Sequence, residues 1–413
     1  MPSIFWIWIL ALTSIVLMLV RPRGLPEWVW IGGSAVLLVA TRLLPAGIAL
    51  HAIGEGVDVY LFLTGMMILA ELAREEGVFD WVADIAVHHA RGSASRLFFW
   101  VYLTGIAVTA LLSNDATAVV LTPAVLAAVR RAKVEPRPHL LACALIANAA
   151  SLLLPIANPA NLVVYGAQMP PLGQWMRMFL LPSVASIAAT FVCLRLLSRK
   201  ALAGEAAPVD EAYRLDAAGW LAVVGIAVAC VTLLVSSALD VRLGAPTCAA
   251  GLLALVLVAL RDRGAPVRAV RNVAWGVLPL VAGLFMIVEA LNRAGLMRLT
   301  KAGLAWLAAV PDGAGKFAGG FGVALLSNAM NNLPAGLAAG TALREMGQHG
   351  LLAHAVLIGV DLGPNLSVTG SLATILWLIA LRREEAEITG WEFLKIGMVA
   401  MPVALALALL ALR

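Results

Sequence analysis

LLAHAVLIGVDLGPNLSVTGSLATILWLIALR (Leu351–Arg382) is the stretch that decides the fold. Its ends, LLAHAVLIGV and LATILWLIAL, read as membrane helix. The middle, Asp361–Gly370, holds a carboxylate, two glycines, a proline and the polar side chains of Asn365, Ser367 and Thr369. One continuous helix would be about 45 Å long, against about 30 Å of bilayer hydrocarbon. Pro364 removes a backbone donor and, with Gly363, stops the helix. Irregular backbone at membrane depth survives only when buried in protein or lining a wet cavity. The stretch therefore predicts a broken transmembrane helix (351–382) whose two half-helices aim their ends at a gap on a solute pathway.

The rest of the chain agrees with a membrane setting. It is 62% apolar and 13% charged, with a mean hydropathy of +0.94, which excludes a soluble globular protein. The net charge of +5 comes from short basic clusters between apolar runs. That is a topology signal rather than a nucleic-acid footprint. Cys143, Cys193, Cys230 and Cys248 all lie in apolar stretches without metal-type spacing. Arg21 and Arg23 follow the first apolar run instead of preceding it, the reverse of a cleavable signal peptide, so that run is read as a retained helix.

In chain order the expected spans are Ile4–Val20, Trp28–Leu44 and Asp58–Leu72. Val78–Ala90 reads as an amphipathic interfacial helix with His88 and His89 on a solvated face. Leu97–Leu112 and Ala116–Val129 are the short arms of a re-entrant hairpin with Ser113, Asn114 and Asp115 at its tip. A second broken helix, 139–168, is interrupted at PIANPAN (Pro155–Asn161), and Met178–Leu197 returns to a basic end. Ser198–Asp216 is a hydrophilic cytoplasmic linker dividing the chain nearly in half. Beyond it come Ala217–Ser236, Pro246–Leu260, Trp275–Leu291, a hairpin around Ser327–Gly336 with its tip at 327–332, the broken helix 351–382, and Trp391–Leu412. The expectation is an all-α polytopic membrane protein of ten transmembrane helices plus two re-entrant hairpins.

Three ordered matches relate residues 1–197 to 217–413. Gly65–Gly77 matches Gly283–Gly295 at an offset of 218, LLSN recurs at 111–114 and 325–328 at 214, and Asn158–Asn161 corresponds to Ser371–Thr374 at 213. With both termini on the periplasmic side, 20 of the 29 Lys and Arg fall on the cytoplasmic side. The two halves then start from opposite faces, which predicts an inverted-topology repeat in an inner membrane.

The four polar interruptions are expected to meet near mid-membrane. They supply Ser113, Asn114, Asn158, Asn161, Asn328, Asn331, Asn332, Asn365, Ser367, Thr369 and Ser371 as candidate substrate ligands, with Asn148, Ser151 and Thr374 beside them. They supply no Lys, Arg or His. That inventory suits a compact neutral polyol or a small cation better than a polyanion, which calls for Arg or Lys. Asp115 and Asp361 are candidate proton carriers, because ionisable groups at that depth are costly. The alternative is that each caps a half-helix N-terminus. No nucleophile–base pair or phosphate loop occurs: GAGKFAGG (Gly313–Gly320) lacks the hydroxyl residue that follows the lysine of such a loop. No enzyme activity, cofactor, resident metal or nucleic-acid partner is expected.

SNDATAVVLTP, LPIANPANLVVYG, SNAMNNLP and above all GVDLGPNLSVTGSLATILWLIAL resemble the bacterial arsenite efflux permeases over almost the whole chain. Where that family usually has a basic residue after DLGP, this chain has Asn365. The resemblance implies efflux of arsenite and antimonite from the cytoplasm in exchange for protons, and it allows for a separate soluble arsenical ATPase as partner. Rival readings are a sodium–proton antiporter of the same superfamily and a passive arsenite facilitator.

Overall fold

The computed structural model describes residues 2–207, 213–310, 313–348, 350–386 and 388–413. Residues 208–212 of the expected linker lie outside them. Among the described residues all regular elements are helical, and one isolated bridge joins Ser93 to Glu205. The first half contains α1 (Pro2–Val20), α2 (Glu27–Ala40), α3 (Ala46–Glu55), α4 (Val57–Glu75), α5 (Val78–Ala90) and α6 (Ala94–Leu111). It continues through α7 (Asn114–Ala116), a π turn (Thr117–Leu121), α8 (Thr122–Arg131), α9 (Pro136–Ala149), α10 (Pro159–Tyr165) and α11 (Leu172–Leu197). The second half contains α12 (Ala217–Ala238), α13 (Gly244–Ala259), α14 (Ala265–Asn272), α15 (Val277–Arg293) and α16 (Leu296–Ala308). After these come α17 (Ala314–Met330), α18 (Asn332–Glu345), α19 (Leu351–Leu362), α20 (Leu372–Arg383) and α21 (Gly390–Ala411).

Among the described residues five helical runs are long and apolar enough to cross a membrane: α6, α11, α12, the α14–α15 run and α21. The pair α3 and α4, bent by 50°, makes a sixth. α1, α2, α13 and α19 are apolar but shorter. Large apolar side chains such as Leu50, Val36, Trp220, Val256 and Leu410 lie exposed on the outside of this bundle, as lipid contact requires. The protein is a multi-pass helical membrane protein.

Several local expectations need correction. α6 has 18 residues and is long enough to cross, whereas the sequence made it a short arm. Ser93 starts it early, its hydroxyl accepting the Arg96 N–H. α3, α14 and α16 were not anticipated; α14 and α16 carry Arg268, Arg271, Arg298 and Lys301, which interrupt their apolar pattern. In the α9–α10 helix the chain leaves the helix after Ala149 and re-enters at Pro159, so the break is 150–158, earlier than Pro155–Asn161. Pro159 stands in the first turn of α10, where its missing N–H costs nothing. In the α19–α20 helix Asp361 still belongs to the last turn of α19. The break runs 363–371 through two short 3-10 turns, Gly363–Asn365 and Val368–Gly370. Asp84 of α5 is buried and accepts the Tyr213 N–H at 2.9 Å, while His88 and His89 are exposed as expected.

The main packing pairs are α4 with α13, α2 with α15, α6 with α9, α17 with α19, α10 with α18, and α11 with α21. Small residues let these backbones approach. At the α4–α13 crossing a side chain on Gly65 would meet the Thr247 backbone, and one on Gly251 would meet the Gly65 backbone at 2.8 Å. Gly33, on the exposed side of α2, has nothing within 4 Å. Gly65→Leu should therefore lower the thermal unfolding midpoint in detergent, with a cost of about 1–3 kcal/mol from overpacking. Gly33→Leu should leave the midpoint in place; equal midpoints for both variants would refute the crossing as a stability determinant.

Candidate functional site

Helix starts carry unpaired N–H groups that need acceptors. Four of them converge on the interruptions, and each has its own cap. Ser113 accepts the Ala116 N–H at the start of α7, and Asn158 accepts the Ala160 N–H at α10. Asn331 accepts the Leu333 N–H at α18, and Ser371 accepts the Thr374 N–H at α20 in a capping box. Hydroxyls and amides thus do the capping. Asp115 and Asp361 do not cap, which removes the alternative that the sequence left open for them.

Asp361 is fully buried. Its Oδ1 accepts from Asn158 Nδ2 at 2.9 Å, and the same amide reaches Ser151 Oγ at 3.3 Å. One hydrogen bond therefore ties the break of the α9–α10 helix to the last turn of α19. A second tie lies beside it: Asn148 Nδ2 donates to Asn365 Oδ1 at 3.0 Å, and Asn365 Nδ2 donates to the Leu145 carbonyl at 2.9 Å. The Ser371 hydroxyl reaches Asn148 Oδ1 at 3.5 Å. The α17–α18 hairpin joins through Asn328, whose amide donates to the Gly363 carbonyl at 2.8 Å and whose Oδ1 accepts from Ser367 at 2.6 Å. Thr369 donates to the Asn328 carbonyl at 3.0 Å. The α6–α8 hairpin joins through the Asn114 N–H, which donates to the Ala157 carbonyl at 2.9 Å. The four interruptions are thus linked in series: the first hairpin tip to the first break, the first break to the second, and the second break to the second hairpin.

Three acceptor oxygens in this region are buried without a protein donor: Asn114 Oδ1, Asn161 Oδ1 and Asp361 Oδ2. All three surround the break at 150–158. The Asn161 amide is spent on the Ser151 and Pro155 carbonyls at 3.1 and 3.3 Å. Asn332 is buried at the start of α18.

A cavity of about 860 Å³ leads to this region. Ser113, Asp115, Ala116 and Pro159 form part of its wall. Towards the helix ends it is bounded by Glu71, Arg74, Asp80, Asn272, Arg383 and Glu384. Of the predicted site residues Ser113 and Asp115 line it; Asn158, Asn365, Ser371 and Asp361 belong to the buried network behind, and Asn328, Ser367 and Thr369 are half-buried. The interruptions contain no cation, as the sequence indicates, but the way in does. Arg74 and Arg383 line the cavity, and Arg74 is held by Glu71 at 2.6 Å. Sequence reading missed this wall because its residues come from α4, α5, the α14–α15 junction and α20, which only the fold brings together.

The comparisons with known proteins match this architecture. A family model described as citrate transporter matches residues 4–360. The arsenical pump membrane protein of Escherichia coli is 31% identical, covering 97% of this chain and 96% of its own. Among solved structures, the YdaH transporter of Alcanivorax borkumensis superposes with a TM-score of 0.59 at 16% identity, covering 93% of this chain and 96% of that one. MtrF of Neisseria gonorrhoeae superposes at 0.52 and 13% identity, covering 99% of this chain and 94% of that one. Those two likenesses concern the fold. The chain therefore belongs to the citrate-transporter family of membrane transporters, and along nearly its whole length it is similar to arsenical pump membrane proteins.

Proposed function

We propose that this transporter exports arsenite, and with it antimonite, as neutral trihydroxides in exchange for protons. The observation that carries the reading is the surplus of buried acceptor oxygens around the first break, Asn114 Oδ1, Asn161 Oδ1 and Asp361 Oδ2. A trihydroxide brings O–H donors to them. Citrate, the substrate in the family's name, brings one hydroxyl donor against three carboxylates and would also meet Asp115 on the cavity wall, so it fits these oxygens less well. The similarity to arsenical pump membrane proteins supports the same choice.

Asp115 faces the cavity and Asp361 closes the network behind it. Either carboxylate can accept a proton when substrate leaves and release it when substrate binds, because both reactions use the same oxygens. Competition at one site couples inward proton flow to outward arsenite flow. The inverted repeat supplies the access change. Its support is the pairing of packing partners across the halves: α4 on α13 mirrors α15 on α2, α6 on α9 mirrors α17 on α19, and α11 packs on its own counterpart α21. In this reading the 860 Å³ cavity opens to the cytoplasm and both termini are periplasmic.

Arsenite uptake into inverted vesicles should accumulate under a proton gradient and vanish when the gradient is collapsed. Asp115→Asn and Asp361→Asn should each abolish accumulation; full uptake in both variants would remove the proton-carrier role. The same acceptor oxygens suit a small cation, so sodium-dependent proton movement without arsenite uptake would establish the antiporter alternative.

Asn158→Ala removes a cap and strands Asp361, and it should cost about 1–3 kcal/mol of stability. Asn158→Ser keeps the cap and should recover part of that loss in a detergent melt. Equal midpoints for Asn158→Ala and the unaltered chain would show that the link carries no stability.

A further inference from the structure

Helix C-termini present unpaired carbonyls and the negative end of the dipole, which arginine satisfies well. Arg344, in the last turn of α18, donates from Nη1 to the Val163 carbonyl at 3.2 Å and also to the Val164 carbonyl. Both carbonyls belong to the last turn of α10. Its Nη2 is fixed by Thr341 Oγ1 at 3.0 Å. The backbones lie close here, since a side chain on Gly340 would meet the Val164 backbone. Leu162 and Val163 of α10 pack in one buried cluster with Leu337 and Ala338 of α18. This side is closely packed, and a small cavity of about 30 Å³ lies beside α10, between Leu162, Gly166 and Asp58.

The offset of 214 that relates the two LLSN motifs carries Arg344 back to Arg130, in the last turn of α8. Arg130 also reaches the C-terminal end of a half-helix from the other half of the chain. Its Nη2 donates to the Glu384 carbonyl, just past α20, at 2.9 Å. The two arginines are at opposite ends of the molecule. Asp58 at the start of α4 is beside α10, whereas Glu71 and Arg74 at its end line the large cavity with Arg383 and Glu384. They also differ in engagement. Arg344 is half-buried and holds two carbonyls of the helix end; Arg130 is exposed and holds one carbonyl beyond it, at the rim of the open cavity.

We infer that Arg344 and Arg130 are paired latches, each closing its own face by clamping a hairpin arm to the broken helix of the other half. With Arg344 engaged the far face is shut and the cavity face is open. The inference rests on the opposed-repeat reading above, but not on which substrate is carried.

The test uses the full chain with its four cysteines replaced by alanine. Reporter cysteines go one at a time at the related positions Ala124, which lines the large cavity, and Ala338, which is buried on α18 and does not line it. A membrane-impermeant thiol reagent is applied to vesicles of each orientation. With both latches intact, Ala124→Cys should react and Ala338→Cys should not. Arg344→Gln should raise the reaction rate of Ala338→Cys by about tenfold or more, the scale of one lost charge-assisted hydrogen bond. It should also slow Ala124→Cys. Arg344→Lys, which keeps the charge, should fall between. Arg130→Gln should leave Ala338→Cys protected. An Arg344→Gln protein that melts normally and keeps Ala338→Cys protected overturns the latch. So does equal exposure of Ala338→Cys by Arg130→Gln, which would mean general loosening. Reaction of both reporters from the same side of the membrane would overturn the opposed topology itself.

Discussion

The hydrogen bond from Asn158 to Asp361 is the contact on which the rest of the site depends. Asn158 has one amide and uses every part of it. Its oxygen caps α10, and its nitrogen serves both Ser151 and a carboxylate 203 residues away. The last turn of α19 can bring a buried carboxylate to the centre only because that donor is there. The break at 150–158 and the break at 363–371 are therefore one structure: each supplies what the other leaves unsatisfied.

Much of this was legible in the sequence, for a physical reason. Proline, glycine and amide residues inside an apolar run have no place in lipid, so DLGPNLSVTG and PIANPAN announce themselves, and both breaks occur where such residues cluster. Their edges were harder to see. Helix stops are set by which carbonyls find partners, and the Ser151 hydroxyl, bonded back to the Ala147 carbonyl, is a local detail no composition reveals. Asp361 looks like part of a gap in the sequence but is helical, because the next residues leave the helix through a 3-10 turn instead of an abrupt stop.

The cavity wall was illegible for a different reason. Glu71, Arg74, Asp80, Arg383 and Glu384 read as ordinary interfacial charges when each is viewed with its sequence neighbours. Their shared outlook onto one space comes from packing of α4, α5 and α20 against the α6–α8 hairpin, at sequence separations of up to about three hundred residues. Short helices that carry basic residues, such as α14 and α16, failed for a related reason. Periodicity identifies an element by what it buries, and these bury little.

The distribution of polar groups along the half-helices follows one rule. Their N-terminal ends at the interruptions are satisfied by neutral hydroxyls and amides, and the C-terminal ends of α10 and α20 by arginine. Carboxylates could have capped the N-termini at least as well, but a capping carboxylate is committed to its helix and is a poor proton acceptor. Using Ser113, Asn158, Asn331 and Ser371 leaves Asp115 and Asp361 free of any helix cap, with no Lys or Arg among the interruptions themselves. In the proposed cycle a neutral, donor-bearing solute exchanges with a proton on the same oxygens, which a site built from Arg–carboxylate pairs would oppose. Arg130 and Arg344 sit at the far ends of the half-helices, away from the interruptions, where in the latch inference a positive charge closes a face.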